Sequence, residues 1–226
     1  MLFYKFLIMS EFHKKHSDRP DTIWRELLGL SNDTPVNFSF CYTSPIPKIE
    51  GDLQWRILHG AYATGNYLFQ SHFSQTPNCI FCGNRDDLFH IFLECHRLNP
   101  LFKLLRKLSR QLLGPNCRIL YWWFVLGPPF LRTVMDKNIH ALLNFIFNTA
   151  KLVIHTTRRK AITENDPHLS GDLITAFKSR IRTRILNEYA YHGFSRQNTD
   201  FNELWCVNNV LASVSEGKLN IADILS

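Results

Sequence analysis

Three cysteines and one histidine fall within seventeen residues of this 226-residue chain, and they limit its folding more than any other feature. Cys79, Cys82, His90 and Cys95 form the pattern Cys-x2-Cys-x7-His-x4-Cys. Zn²⁺ prefers four tetrahedral sulfur and nitrogen ligands, and a structural site uses all four. The two-residue gap lets both thiolates of one tight turn face the same ion. Gly83, directly after Cys82, supplies the positive φ that such a turn often needs. The pattern therefore predicts a structural zinc site.

Other interpretations of the cluster are weaker. A redox Cys-x-x-Cys typically follows a strand, whereas a polar Ser-Gln-Thr-Pro segment, residues 74–77, precedes this one. Inert buried thiols are the other alternative. Four protein ligands leave no position for a catalytic water, and no His-x-Glu arrangement of a nucleobase deaminase accompanies the cluster. If residues 86–95 are helical, His90 and Cys95 lie on roughly one face.

The apolar periodicity along the chain is helical, and segments with period-two alternation are few and weak. We expect a mostly α fold, a helical domain with the small zinc knuckle between helices. The predicted helices cover residues 22–30, 52–69, 100–113, 135–161 and 171–191. We divide the chain into an irregular leader with one short helix (1–50), a helix with the zinc-binding module and a basic helix (51–114), and a C-terminal helical region (115–226).

No targeting or membrane segment is convincing. Lys5 splits the apolar N-terminus, and no small-residue cleavage site follows it. The apolar run 119–131 contains Gly-Pro-Pro and falls short of the roughly 20 residues that a spanning helix needs. The six cysteines do not resemble a disulfide scaffold. We therefore expect an intracellular protein of the nucleus or cytoplasm, with no membrane partner.

Basic residues are concentrated in one part of the chain. The formal net charge is +7, and residues 97–184 hold 16 Lys and Arg against 4 Asp and Glu, a local balance of +12. A surplus of this sign favours polyanionic partners. In the predicted helix 100–113, four cations stand at i, i+3, i+4 and i+7, which places them on one face. They are Lys103, Arg106, Lys107 and Arg110.

Two later helices carry further cations that we predict to contact phosphates. These are Lys151, Arg158, Arg159 and Lys160 in the first, and Lys178, Arg180, Arg182 and Arg184 in the second. The alternative for each basic stripe is a solvated surface. Tyr121, Trp122 and Trp123 can stack on unpaired bases. Core packing is the favoured interpretation for these aromatic residues, because apolar residues surround them.

Several runs together resemble a known family. Residues 51–65 (GDLQWRILHGAYATG) precede CIFCG at 79–83, and LFHIFLEC follows at 88–95. This order resembles the C-terminal zinc-binding (Cys-Cys-His-Cys) domain of non-LTR (LINE-type) retrotransposon reverse transcriptases. The resemblance continues in residues 144–154, 177–185 and 204–211 and covers about residues 21–215.

The resemblance implies a segment that assists RNA binding and target-primed reverse transcription, with an active site located upstream. A polymerase needs a paired-aspartate turn that holds two metal ions, and the adjacent pair Asp86-Asp87 lacks the flanking strands of such a site. We interpret that pair as complementing the positive N-terminus of a helix. No nuclease or other catalytic constellation is present either, so we expect no enzymatic activity and no small-molecule substrate.

The predicted function is a zinc-stabilised nucleic-acid-binding module, with structural Zn²⁺ as its cofactor. RNA is favoured over DNA by the resemblance, although the residues themselves do not separate the two. A reverse transcriptase core or another protein is a further expected partner. The alternatives are a zinc-organised protein–protein interaction module and a decayed retroelement fragment without selected function. The oligomeric state and any sequence preference stay open.

Overall fold

A helix of 28 residues, Lys137–Glu164, forms the centre of the computed structural model, which describes residues 22–31, 38–116, 120–129, 136–195 and 198–225. Asp136 caps its N-terminus, because the Asp136 carboxylate accepts from the Ile139 N–H at 2.7 Å. At its C-terminus Asn165 adopts a left-handed conformation, with φ 51°. Almost every residue between 142 and 154 is buried, because helices and loops pack on all sides of it.

The chain is mostly helical, as predicted. Helices α1 to α8 are Thr22–Leu28, Lys48–Leu58, Gly65–Gln70, Asn99–Leu113, Trp122–Leu126, Lys137–Glu164, Leu173–Ser195 and Asn198–Trp205. Short 3₁₀ segments cover Phe38–Cys41, His96–Leu98, Pro167–Asp172, Val207–Asn209 and Asp223–Leu225. The central helix α6 packs against α2, α4, α7 and α8. The knuckle lies between α3 and α4, in agreement with the predicted fold class.

The predicted helix over residues 52–69 is wrong, because the chain forms two helices there, α2 and α3. Gly60 has a φ of 64°, and the Ala61 N–H donates to the Arg56 carbonyl at 2.8 Å, which closes the end of α2. The Thr64 hydroxyl then caps α3. Apolar periodicity continued across this break, whereas the glycine and threonine were local stop and start signals.

A small antiparallel hairpin near the C-terminus was not predicted. Strands β1 (Ala212–Ser215) and β2 (Lys218–Ile221) pair with Ala212 opposite Ile221. Glu216 and Gly217 connect them with φ of 51° and 73°, the conformation of a tight two-residue turn. The four-residue strands were too short to give a period-two signal.

All three predicted segments contribute to one hydrophobic core. In the first segment, Trp24 of α1 is fully buried and its indole N–H donates to the Ile57 carbonyl of α2 at 2.7 Å. The division of the chain into three segments stays a prediction.

The first 21 residues, residues 32–37, Cys117 and the predicted helix start at residue 135 lie outside the described residues. Among the described helices, none combines the length and apolarity needed to cross a bilayer.

Candidate metal centre and cationic surface

The four predicted metal ligands come together. The Sγ atoms of Cys79, Cys82 and Cys95 and a ring nitrogen of His90 all lie within 4.8 Å of one another. Cys82 Sγ is 3.1 Å from His90 Nε2. Ligands of one tetrahedral zinc ion stand about 3.5–4 Å apart, because Zn–S is about 2.3 Å and Zn–N about 2.0–2.1 Å. The cluster therefore has dimensions that allow it to bind a metal ion.

A tight turn presents the first two thiols. The Gly83 N–H donates to the Cys79 carbonyl at 2.8 Å, and the Cys79 N–H donates to the Asn84 carbonyl at 2.6 Å. Asn78 and Arg85 form an antiparallel bridge at the base of the turn. Gly83 has a φ of 78°, which confirms the positive φ predicted for it.

The other two ligands lie on a helical turn of unexpected type. The segment that was expected to place His90 and Cys95 on one face is helical over residues 88–94, and His90–Glu94 within it is a short π-helical segment. The Cys95 N–H donates to the His90 carbonyl at 3.0 Å, an i to i+5 hydrogen bond. This wider turn brings positions five apart onto one side, which suits a His-x4-Cys spacing. The Asp87 carboxylate accepts from the His90 N–H at 2.8 Å and holds the start of the turn.

The chemistry of the donor set fits a four-ligand structural site. Cys79, His90 and Cys95 are buried, and Cys82 is half-buried. A hydrogen bond from Cys95 lowers the pKa of the Cys79 thiol well below its usual value, whereas burial raises the pKa of Cys82. A bound cation replaces such thiol protons, because thiolates are the metal-binding form. Three sulfurs and one imidazole nitrogen form a donor set that soft or borderline metals prefer.

Asp86 connects the knuckle to the central helix. Its Oδ2 atom accepts from the Gly65 N–H at 2.5 Å and forms an ion pair with the guanidinium of Arg158. Both charged residues are buried. A Cβ on residue 65 would lie within 2.5 Å of the same carboxylate oxygen, so glycine is required there. Asp86 therefore complements the N-terminus of α3, whereas Asp87 caps the turn that follows the pair, so the two aspartates serve two different helix ends.

A second polar contact lies between the loop after α2 and α6. The Tyr62 hydroxyl is 2.9 Å from His155 Nδ1, and the two rings meet edge to face. The pKa of His155 is lowered to about 4. Burial is the main cause, and the nearby cations Arg56, Arg159 and Arg158 contribute to the same shift. His155 is therefore neutral in the folded protein at neutral pH. Periodicity does not reveal this contact, since 93 residues separate its partners.

We predict that His155 makes the protein acid-sensitive. Its folded pKa is about 4, below the roughly 6.5 of an unfolded histidine, so the unfolded chain takes up the proton first. The free energy of unfolding should fall by about 1–2 kcal/mol between pH 7 and pH 5 on this account. Urea unfolding at the two pH values measures this loss. His155→Gln should reduce it, and the matched variant His168→Gln, at an exposed position, should not. An equal loss in both variants and the parent protein would contradict the assignment.

The four cations predicted on the first basic helix share one exposed face of α4. All four are exposed, whereas leucines at positions 101, 105, 108 and 112 on the opposite side are buried. Together with Gln111 and Pro115 they line a shallow groove, and they are Lys103, Arg106, Lys107 and Arg110. Within the described ranges, none of these four cations forms an ion pair with a carboxylate. Like charges at this spacing repel one another, which a bound polyanion would relieve.

Two other residues that were predicted to contact phosphates are buried, so the prediction is wrong for them. Lys151 is 1% exposed, and its ammonium donates to Gln54 Oε1 and lies 5.6 Å from the centre of the Phe124 ring. Burial lowers the pKa of Lys151 to about 7. Arg158 is buried in the ion pair with Asp86. Sequence spacing placed both on a basic stripe, but α6 is enclosed on nearly all sides, so neither side chain faces solvent.

The remaining predicted cations differ in exposure and pairing. Arg159, Lys160, Arg180 and Arg182 are exposed, and Lys178 and Arg184 are half-buried. Among the described residues, ion pairs join Lys160 to Glu164 at 3.9 Å, Arg180 to Glu50 at 3.3 Å and Arg184 to Glu188 at 2.6 Å. Their cationic groups are thus partly neutralised, and the α4 row is the stronger candidate surface.

The aromatic run at the start of α5 divides between core and surface. Trp123 is 3% exposed, which agrees with the favoured core interpretation, and Trp122 is half-buried against it. Tyr121 is 60% exposed, and it lines a pocket together with residues of α4.

No protein-family model matches this chain. The chain is 34% identical over 229 aligned residues to the Transposon TX1 uncharacterized 149 kDa protein of Xenopus laevis. The match covers 100% of this chain and 16% of that relative, so the chain spans only a small part of the relative's length. This similarity supports the retroelement connection that the sequence motifs indicate.

Proposed function

We propose that the chain is a zinc-stabilised RNA-binding module without catalytic activity of its own. Cys79, Cys82, His90 and Cys95 hold structural Zn²⁺, and the exposed cations of α4 contact phosphates. By the retrotransposon resemblance, the module assists a reverse transcriptase by holding RNA near its active site. The similarity to a transposon protein supports this assignment.

The observation that carries the proposal is the position of the cationic row relative to the metal cluster. Helix α4 begins at Asn99, four residues after the ligand Cys95, with the short 3₁₀ segment His96–Leu98 between them. An ion held by Cys95 would therefore fix the N-terminal end of α4 in space. The buried leucines of α4 fix its orientation against the core. The four cations are then presented as one rigid surface, which reduces the conformational entropy that phosphate binding would otherwise cost.

The test is binding of a labelled 20-nucleotide single-stranded RNA, followed by fluorescence anisotropy at 50 and 200 mM salt. If four phosphates are neutralised, affinity should fall roughly 50-fold across this range, given a slope of about −0.7 per contact for single strands. The same sequence as single-stranded DNA tests the preference for RNA. Absence of binding to either nucleic acid at 50 mM salt would contradict the proposal and favour a protein-interaction module.

A charge reversal tests the residues themselves. We expect Arg106→Glu combined with Lys107→Glu to leave folding intact, because both residues are exposed. RNA binding should weaken, and the salt slope should become shallower by roughly 1.4, the contribution of two lost contacts. The matched control reverses two exposed lysines on other elements, Lys48→Glu and Lys218→Glu. If the control weakens binding as much as the test variant, net charge rather than the α4 row determines affinity.

A further inference from the structure

A pocket of about 400 Å³ lies beside the cationic row. The function proposed so far does not use it. Four of its ten lining residues are aromatic. The Phe102 ring of α4 meets Phe124 edge to face at 5.3 Å, and Phe124 meets Phe147 in the same way at 5.8 Å. Tyr121 forms part of its edge and is 60% exposed. The volume lies within the range of pockets that hold small organic groups.

The pocket and the cationic groove share one residue, Arg106. Its side chain lines both, so a ligand can fill the pocket while its charged part lies in the groove. Within the described part of the chain, no Asp or Glu lines either of the two. Asn99, exposed at the start of α4, adds a side-chain amide with both donors and an acceptor to the pocket.

These features together match the chemistry of a nucleotide. A nucleobase is a flat ring that stacks on aromatic side chains and carries hydrogen-bonding groups at its edge. Its phosphate requires a cation, and an arginine can bind two phosphate oxygens at once. A base inside a duplex has both faces covered by its neighbours, so only an unpaired base can enter such a pocket.

We propose that this pocket binds one unpaired nucleobase of the bound RNA, with Tyr121 stacking on the base and Arg106 holding an adjoining phosphate. The proposal rests on the RNA-binding function proposed above and adds a preference for RNA with an unpaired nucleotide. It gives the exposed Tyr121 a role that core packing does not explain.

The experiment compares three fluorescein-labelled 20-base-pair RNA duplexes at 50 mM salt. One is fully paired, one carries a single bulged adenosine, and one carries an abasic bulge at the same position. We expect the adenosine bulge to bind at least about fivefold more tightly than the abasic bulge, as one stacked base contributes. The two bulged duplexes have the same number of phosphates and the same interruption of pairing, and they differ in the presence of the base.

Matched tyrosine variants identify the pocket. Tyr121→Ala should remove the preference for the adenosine bulge, whereas Tyr191→Ala, an equally exposed tyrosine on α7 that does not line the pocket, should retain it. Filling the pocket with Leu120→Trp should also remove the preference. Equal affinity of the parent protein for the adenosine and abasic bulges, with single-stranded RNA still bound, would overturn the pocket proposal alone. Failure to bind any of these RNAs would overturn both proposals.

Discussion

Replacement of Cys79 by Ser is expected to unfold the region around the knuckle and to abolish stoichiometric metal binding. A bound ion would join a turn and a π-helical segment that otherwise contact the rest of the fold through core residues such as Phe81 and Phe92 and through the Asp86 ion pair. Metal binding contributes about 10–16 kcal/mol in small zinc domains, which is comparable to the whole free energy of unfolding of a typical protein, about 5–15 kcal/mol. Loss of one ligand is therefore expected to remove a large share of the stability of this region.

Metal analysis and thermal unfolding of the purified protein measure this effect. The parent protein should contain one zinc per chain, and Cys79→Ser and Cys95→Ser should each contain none and melt at lower temperature. Cys206→Ser is the matched control, since Cys206 is a half-buried thiol outside the cluster. A Cys79→Ser protein with unchanged melting and unchanged zinc content would refute the assignment of the ligands. A different metal at full occupancy would leave the four-ligand site standing but exclude zinc as its ion.

The second large effect is expected from the buried ion pair between Asp86 and Arg158. Arg158→Met leaves the Asp86 carboxylate buried without its cation, and breaking a buried pair in this way costs about 3–5 kcal/mol. Burial already raises the pKa of Asp86 although the guanidinium opposes it. Within the described residues, Asp86 Oδ1 and Arg158 Nε have no hydrogen-bond partner, so little else compensates for the lost charge.

A double-mutant cycle separates the ion pair from other losses. Asp86→Asn keeps an acceptor for the Gly65 N–H and removes the charge, so Asp86→Asn combined with Arg158→Met should cost less than the sum of the single variants. Chemical unfolding at pH 7 measures each free energy. The control is Lys160→Met, which breaks an exposed i, i+4 pair on the same helix and should cost about 0.3–0.5 kcal/mol. Equal losses for Arg158→Met and Lys160→Met would show that the buried pair does not stabilise the fold.

The ion pair between Asp86 and Arg158 also couples the metal site to the rest of the protein. Asp86 lies between the ligands Cys82 and His90 in sequence, and its ion-pair partner is on the central helix. We therefore expect Arg158→Met to lower the affinity for zinc as well as the stability, because the knuckle loses its anchor on α6. Competition with a chelator measures this affinity, and the Lys160→Met protein is again the reference.

The helices that could be predicted were those with local signals. The α4 helix was expected over residues 100–113 and is Asn99–Leu113, because Pro100 and Gly114 mark its ends and leucines recur along one face. Gly60 was a comparable signal that periodicity concealed, so one predicted helix became two. The hairpin was missed because the pairing partners of a strand are not visible in the strand itself.

The residues of the candidate site also fall into two groups, those that local sequence patterns predict and those that only tertiary packing reveals. The metal ligands were predictable from the sequence alone, since a Cys-x2-Cys turn followed within seventeen residues by a His and a third Cys is a typical donor set for a structural zinc site. The exposed row of α4 was predictable too, since helical geometry decides which residues share a face. Only the tertiary structure showed that Lys151 and Arg158 are buried, that Asp86 holds the knuckle against α6, and that aromatic residues of three helices help to line a pocket with Arg106. The reason is physical: ligand spacing and helical faces are local properties of the chain, whereas burial and ion pairing depend on which distant segments pack together.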